Sequence, residues 1–177
     1  GDSSMSILKV DSIQNTGGTT ALTIDNSGSV LDKRPLFHAK QSSAQSVTNA
    51  AYNQMQIDTA VHDTHNFVDT GNNRINFTAD TAGIYQVNIG TKWSDINASR
   101  VGMWVRRAGA QNTGTYIAWF EQPGASGSYL YTNYTFIHNF TATDFLAVDF
   151  YQNSGGSIST YVAGQDFGQF ISGYRIG

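Results

Sequence analysis

The 177-residue chain contains no cysteine, which removes disulfide staples, thiolate metal sites and cysteine nucleophiles together. A secreted domain commonly carries disulfides, so the absence fits a chain folded in a reducing cytosol. Charge is scarce: Asp, Glu, Lys and Arg make up 13% of the residues, about half the usual ~25%. The net charge is −3, and no Lys or Arg occurs between Arg107 and Arg175, a stretch that holds Glu121, Asp144, Asp149 and Asp166. Phosphate backbones are bound by clustered cations, so no nucleic-acid partner is expected. No apolar run approaches the ~20 residues that span a bilayer, and no membrane insertion is expected. The opening "GDSSMSILKV" lacks the basic region and long apolar core of an export signal. Residues 1–4 read as a cloning remnant ahead of Met5 and are set aside.

In place of charge the chain carries Thr, Ser, Asn, Gln and Gly, with 22 aromatic residues (3 Trp, 9 Tyr, 10 Phe). "GIYQVNIGTKW" sets Tyr85, Val87, Ile89 and Trp93 on one face and Gln86, Asn88 and Lys92 on the other, the period of a half-buried strand. "SRVGMWVRR", "GTYIAWF", "SYLYTNYTFIHNF", "DFLAVDFYQ" and "GQFISGYRI" continue the theme between turn clusters such as "AGAQNTG" and "NSGG". Short strands with a turn every 8–12 residues predict an all-β, two-sheet sandwich of about ten strands.

Residues 5–34 differ. Leu8, Val10, Ile13, Leu22, Ile24 and Val30 form short apolar pieces broken by "NTGG" and "DNSG". Pieces this thin bury too little surface alone to offset the entropy of ordering them, so the expectation is a β-rich stalk in which several copies intertwine. A boundary is placed near Arg34–Pro35, with a head over 35–177.

"F-x5-G-x-Y-x-V-x-I", from Phe77 through Gly83 and Tyr85 to Ile89, resembles the signature of the complement component 1q and tumour-necrosis-factor jelly-roll superfamily. Val87 and Ile89 stand where that family has larger residues. Upstream, Phe67 and Asn73 keep the family spacing, but Thr70 replaces an aromatic or leucine. The C-terminal "DFGQFISGYRIG" resembles the family's F-x-S-G-aromatic ending, with Phe170, Ser172, Gly173 and Tyr174 in register. The resemblance implies a jelly roll, three heads around an axis, and structural roles for Phe77, Gly83, Tyr85, Phe170, Gly173 and Tyr174. Phe77, Tyr85 and Phe170 are then core aromatics, and Gly83 meets a demand for positive φ or close backbone approach. The leader "LKVDSIQNTGGTTALTIDNSGSVL" resembles the lead-in of phage tail fibres, notably those of cyanophages, where a β stalk precedes a jelly-roll tip.

Little points to catalysis. "HDTHNF" offers His62, Asp63 and His65, but polar residues in a loop before Phe67 explain it better than a metal site, since no third ligand follows. Nothing pairs Glu121, Asp144, Asp149 and Asp166 across a cleft as a glycosidase requires, and Asp144 reads as a turn residue. Asn-x-Ser/Thr sites at Asn76, Asn97, Asn133 and Asn139 follow from abundant Asn and Thr. No enzyme activity and no cofactor are expected. Asp95 or Asp166 are the acids that would take a calcium ion after assembly, though no alternating acidic run supports one.

The jelly-roll order places three connections at one end, 94–99, 121–128 and 153–167, with the others facing the stalk. Their small polar residues and flanking aromatics suit sugar recognition. The expected receptor-binding set is Trp93, Asp95, Asn97, Glu121, Gln122, Ser126, Tyr129, Asn153, Tyr161 and Asp166, with Trp119 alongside. "SYLYTNYTFIHNF" is apolar on both faces, which marks Tyr131 and Ile137 as trimer-interface candidates. These features predict a receptor-binding tip of a phage tail fibre. It would be a homotrimer made in a bacterial cytoplasm and carried on the virion, joined to other tail proteins by its stalk and bound to a bacterial surface glycan or protein, of which a carbohydrate is the favoured receptor. The alternatives are a virion structural or decoration protein and a bacterial surface protein of the same fold.

Overall fold

A computed structural model describes residues 12–14, 16–17, 20–24, 26–27, 30–31, 34–94, 100–124, 129–162 and 168–177. The chain divides between Arg34 and Pro35 into two units. In the first, β1 (Ser12–Gln14), β2 (Thr20–Ile24) and β3 (Val30–Leu31) form an antiparallel meander whose backbone register pairs position 13 with position 22. Ile13 is half exposed.

The second unit contains β4 (Leu36–Lys40), β5 (Ser46–Val47), β6 (Asn53–Gln54), β7 (Thr59–Asp63), β8 (Val68–Asp69), β9 (Arg74–Asn76), β10 (Gly83–Trp93), β11 (Val101–Ala108), β12 (Thr115–Gln122), β13 (Leu130–Phe140), β14 (Phe145–Gln152), β15 (Ile158–Ser159) and β16 (Phe170–Arg175). One sheet runs β13-β10-β16-β4-β7; the other runs β12-β11-β14-β9-β8, with β6 added against β14; β15 and β5 pair separately. Non-consecutive neighbours at most steps make this a two-sheet jelly roll.

The alternation expected of β10 is present. Tyr85, Val87, Ile89 and Trp93 point inward, each at most 1% exposed, and meet Val101, Met103, Val105, Val148 and Phe150 of the facing sheet. At the end where β10 begins, Phe37, Phe67, Phe77, Tyr85 and Phe140 form an aromatic knot. Phe77 stacks on Phe140 at 4.1 Å and packs edge-on to Tyr85 at 5.1 Å. Each such ring contributes roughly 1.5–3 kcal/mol of apolar burial. The Tyr85 hydroxyl, the one polar atom in the knot, donates to the Thr81 carbonyl at 2.6 Å.

Gly83 has φ +146°, and a Cβ there would lie 2.6 Å from Arg175 Nε and 2.7 Å from the Gly177 carbonyl oxygen. Both physical demands therefore fall on one residue. Asn73, at φ +53°, accepts from the Ile57 amide through its side chain at 3.0 Å. Thr70 lies exposed in the turn after β8, where no aromatic is needed.

The C-terminal ending requires a correction. Along β16 the inward positions are Ile171 and Gly173, and a Cβ on Gly173 would meet the Phe37 ring at 2.5 Å. Phe170 and Tyr174 therefore fall on the opposite face. Phe170 is only half-buried, its ring laid across Gly90, while Tyr174 is 39% exposed and donates to Gln86 Oε1 at 3.2 Å. Strand alternation outweighs the expectation that Phe170 lies in the core.

Candidate functional site

Strand register defines one end of the roll. β10 stops at Trp93 opposite Leu130, where β13 starts; Val101, the first residue of β11, faces both Gln122 and Gln152, the last residues of β12 and β14; β16 starts at Phe170, opposite Gly90 and Lys40. The connections 94–100, 123–129 and 153–169 thus leave from a common end. A fourth joins them, contrary to the expected assignment of all other connections to the opposite end: the 41–58 excursion departs from Lys40.

Buried amides hold this end together. Thr160 Oγ1 donates to Gln41 Oε1 at 3.1 Å and accepts from the Gln45 amide at 2.8 Å. Gln45 Nε2 donates to the Gln54 carbonyl at 2.7 Å. Gln152 Nε2 donates to Val47 and Gly156 carbonyls at 2.9 and 2.8 Å. Neutral amides satisfy the backbone of long connections without burying charge.

Two side-chain clusters rise from this frame. The first surrounds Lys92. Its Nζ lies 3.7 Å from the Tyr161 ring centroid, 4.5 Å from Tyr129 and 4.8 Å from Tyr131, and Tyr129 packs on Tyr161 at 4.6 Å. Lys92 is 7% exposed, whereas Tyr129 and Tyr131 are more than half exposed. The ring quadrupoles solvate the ammonium in place of water. Tyr161 is brought there by its amide, which donates to the Lys92 carbonyl at 2.8 Å.

The second cluster centres on Arg100. Its amide donates to Asn153 Oδ1 at 2.8 Å, its Nη1 pairs with Glu121 Oε1 at 3.2 Å, and its guanidinium sits 4.7 Å over the Tyr151 ring. A hydrogen bond to Tyr151, reinforced by the Glu121 carboxylate, pushes the Arg100 pKa further up. This pair is exposed, so its contribution to stability is small.

The expected binding residues separate accordingly. Tyr129 and Tyr161 come together at Lys92, joined by Tyr131; Glu121 and Asn153 come together at Arg100. Trp93 is wholly buried between the sheets and is corrected from a binding residue to a core residue: its place in the inward alternation of β10 decides the matter. Gln122 is half-buried, and its Nε2 is enclosed without a hydrogen-bond partner among the described residues. Asp95, Asn97, Ser126 and Asp166 lie outside the described residues. Lys92 and Arg100 were not anticipated, although Lys92 could have been found as the one cation on β10 whose cross-strand partner is a tyrosine, Tyr131.

Of the acids considered for hydrolysis, Asp144 and Asp149 hold structural partners. Asp144 accepts from the Thr141 amide at 2.7 Å and pairs with Arg107 at 3.0 Å; Asp149 pairs with Arg106 at 2.9 Å and accepts from Tyr116 at 2.9 Å. Asp63 accepts from the Phe67 and Val68 amides at 2.8 and 2.9 Å, closing the turn that carries His65. The geometry supports ring stacking and hydroxyl recognition.

No family model matches the chain, and no curated protein matches it by sequence. Solved structures match by fold. Murine APRIL at pH 5.0 superposes with a TM-score of 0.62 at 12% identity, covering 81% of this chain and 99% of its own. Eiger TNF from S. frugiperda gives 0.57 at 17%, covering 81% and 91%. The globular domain of zebrafish complement 1qA gives 0.57 at 8%, covering 81% and 98%. The head is a jelly roll of the kind found in TNF and complement 1q globular domains.

Proposed function

We propose that the chain is a non-enzymatic attachment protein, the receptor-binding tip of a phage tail fibre, acting as a homotrimer on the virion. The observation that carries this reading is the outer face of the five-stranded sheet. Ile84, Tyr131, Ile137, Tyr174 and Ile176 all project from it and all are at least 39% exposed. A single copy leaves these large apolar side chains in water, interleaved with the polar Gln86, Asn88, Asn133 and Thr135 of the same face, and a neighbouring copy is the economical cover. The β1–β3 meander is too short to stand alone and gains a core where three copies meet, linking the head to other tail proteins. Assembly sets three loop-bearing ends side by side, so that weak single-site binding to a bacterial surface carbohydrate becomes strong attachment through avidity.

The test has two readouts. Sedimentation equilibrium of the whole chain is expected to give a trimer that Tyr131→Asp with Ile137→Asp disperses. Adsorption of the trimer to a panel of bacterial cells is expected to fall when Tyr129 and Tyr161 are replaced by alanine. A folded monomer at micromolar concentration overturns the assembly, and a trimer that binds no cell surface leaves a virion structural role in its place.

A further inference from the structure

A second aromatic surface runs from the Arg100 cluster at the loop-bearing end along the outer face of the other sheet. Trp104 of β11 and Trp119 of β12 stand directly opposite each other in the ladder. Trp119 is 68% exposed, far beyond what core packing asks of the largest side chain. Beside the pair, Tyr52 and Tyr151 meet the Trp104 ring edge-on, at 5.2 Å and 87° and at 5.6 Å and 68°. Gly102 makes this arrangement fit: a Cβ there would meet Trp104 Cζ3 at 2.5 Å, so the indole extends over bare backbone.

Charge at this surface is balanced. Glu121 faces Gly102 across the β11–β12 ladder and pairs with Arg100, both side chains keeping 35% and 47% exposure. Beneath, Arg106 and Asp149 neutralise each other out of contact with water. The patch therefore combines broad aromatic area, no net charge, and an exposed ion pair with open donor and acceptor positions. An anionic ligand gains nothing there.

We propose that Trp104, Trp119, Tyr52 and Tyr151 form a stacking platform for an uncharged pyranose, with Arg100 and Glu121 binding its hydroxyls. The apolar C–H face of a pyranose covers an indole, while its adjacent hydroxyls accept from a guanidinium and donate to a carboxylate, both charge-assisted. Trp104, Trp119 and Tyr151 stand on paired strands, so ligand binding costs little ordering of the protein. This site names the ligand class for the attachment reading and rests on it for its biological setting, but its physical test is separate.

The three tryptophans supply the assay. Indole N–H resonances of the whole chain are followed while methyl glucoside, galactoside, mannoside and N-acetylglucosaminide are added singly to about 50 mM, a range that covers the millimolar affinities of single sugars. At least one is expected to shift the Trp119 and Trp104 signals saturably and leave buried Trp93 unmoved. Trp119→Ala is expected to weaken that binding at least about tenfold and Glu121→Gln severalfold. Both positions are solvent-facing, so the Trp93 signal reports that the fold persists. No shift with any of the four sugars overturns the proposal. So does a Trp119 signal that moves with protein concentration alone, which would assign the surface to a second copy of this chain. Cell adsorption that survives Trp119→Ala, together with absent sugar shifts, defeats the platform while leaving the attachment reading intact.

Discussion

The Lys92 ammonium lies 3.7 Å from the centroid of the Tyr161 ring, so that the last turn of β10 and the segment after β15 share one cation. A largely desolvated cation–π contact is worth about 2 kcal/mol, and here three rings contribute. Lys92→Met keeps the buried stem and removes the charge. It is expected to lower the unfolding free energy by roughly 1–2 kcal/mol, read from urea midpoints at unchanged slope. Tyr161→Phe retains the ring face and should be near neutral, whereas Tyr161→Ala should match Lys92→Met. Equal losses from Tyr161→Phe and Tyr161→Ala would assign the stabilisation to the hydroxyl instead.

Two glycines of β10 make opposite predictions. At Gly83 an added methyl meets the Gly177 backbone oxygen at a positive φ, and neither can yield cheaply. Gly83→Ala should cost about 1–3 kcal/mol. At Gly90 the obstacle is the Phe170 ring, 2.1 Å from the would-be Cβ, a half-buried side chain that can swing outward. Gly90→Ala should therefore be partly relieved by Phe170→Leu, whereas no substitution of a neighbouring side chain should relieve Gly83→Ala. Thermal melts of the four variants decide it.

The residues that sequence reasoning placed well are those for which strand alternation and a backbone demand agree. Tyr85 and Phe77 point inward by period and are buried, and Gly83 shows the positive φ its position called for. Phe170 departs from the motif's expectation because alternation along β16 sets Ile171 and Gly173 inward, with Gly173 against Phe37, and so turns Phe170 outward. The loop-bearing end was partly legible, since strand directions alone predict which connections share an end. Lys92 and Arg100 were not, because what gathers rings around them is cross-strand register. The same register sets Trp104 opposite Trp119, fifteen positions away in the chain.

Asp149 is wholly buried and accepts from Arg106 Nε at 2.9 Å and from Tyr116 at 2.9 Å. Arg106 also reaches Gln54 Oε1 at 3.0 Å, so the pair pins the 41–58 excursion to β14. Removing one charge leaves the other desolvated, a cost of roughly 3–5 kcal/mol. Asp149→Leu and Arg106→Met should each fall in that range, while the double variant Arg106→Met with Asp149→Leu should recover much of the loss. Additive losses in this double-mutant cycle would show that the two side chains do not act as a pair.

Stability should fall at both ends of the pH scale for different reasons. Burial pushes the Tyr85 hydroxyl up to about 12, and burial with a hydrogen bond to Asp149 does the same for Tyr116. A raised pKa means the fold favours the neutral phenol, so this stabilisation is complete below pH 10, the unfolded value, and is lost as pH rises through about 12. His138 moves the other way: burial, then the Arg107 charge, depress its pKa below 6.5 against the opposing pull of Asp144. A depressed histidine contributes above pH 6.5, and its contribution is lost as pH falls through the folded value. Burial works to raise Asp58 and Asp144 but is outweighed by their hydrogen bonds, helped at Asp144 by the Arg107 charge, and hydrogen bonds from Asn72 and Asn76 lower Asp69; all three therefore lie below 3.8 and add a second loss at lower pH. Urea midpoints measured across the range should therefore decline in two acid steps and one alkaline step. His138→Gln is expected to erase the first acid step alone, and Tyr85→Phe with Tyr116→Phe to flatten the alkaline one. An unchanged first step in His138→Gln would assign it to another group.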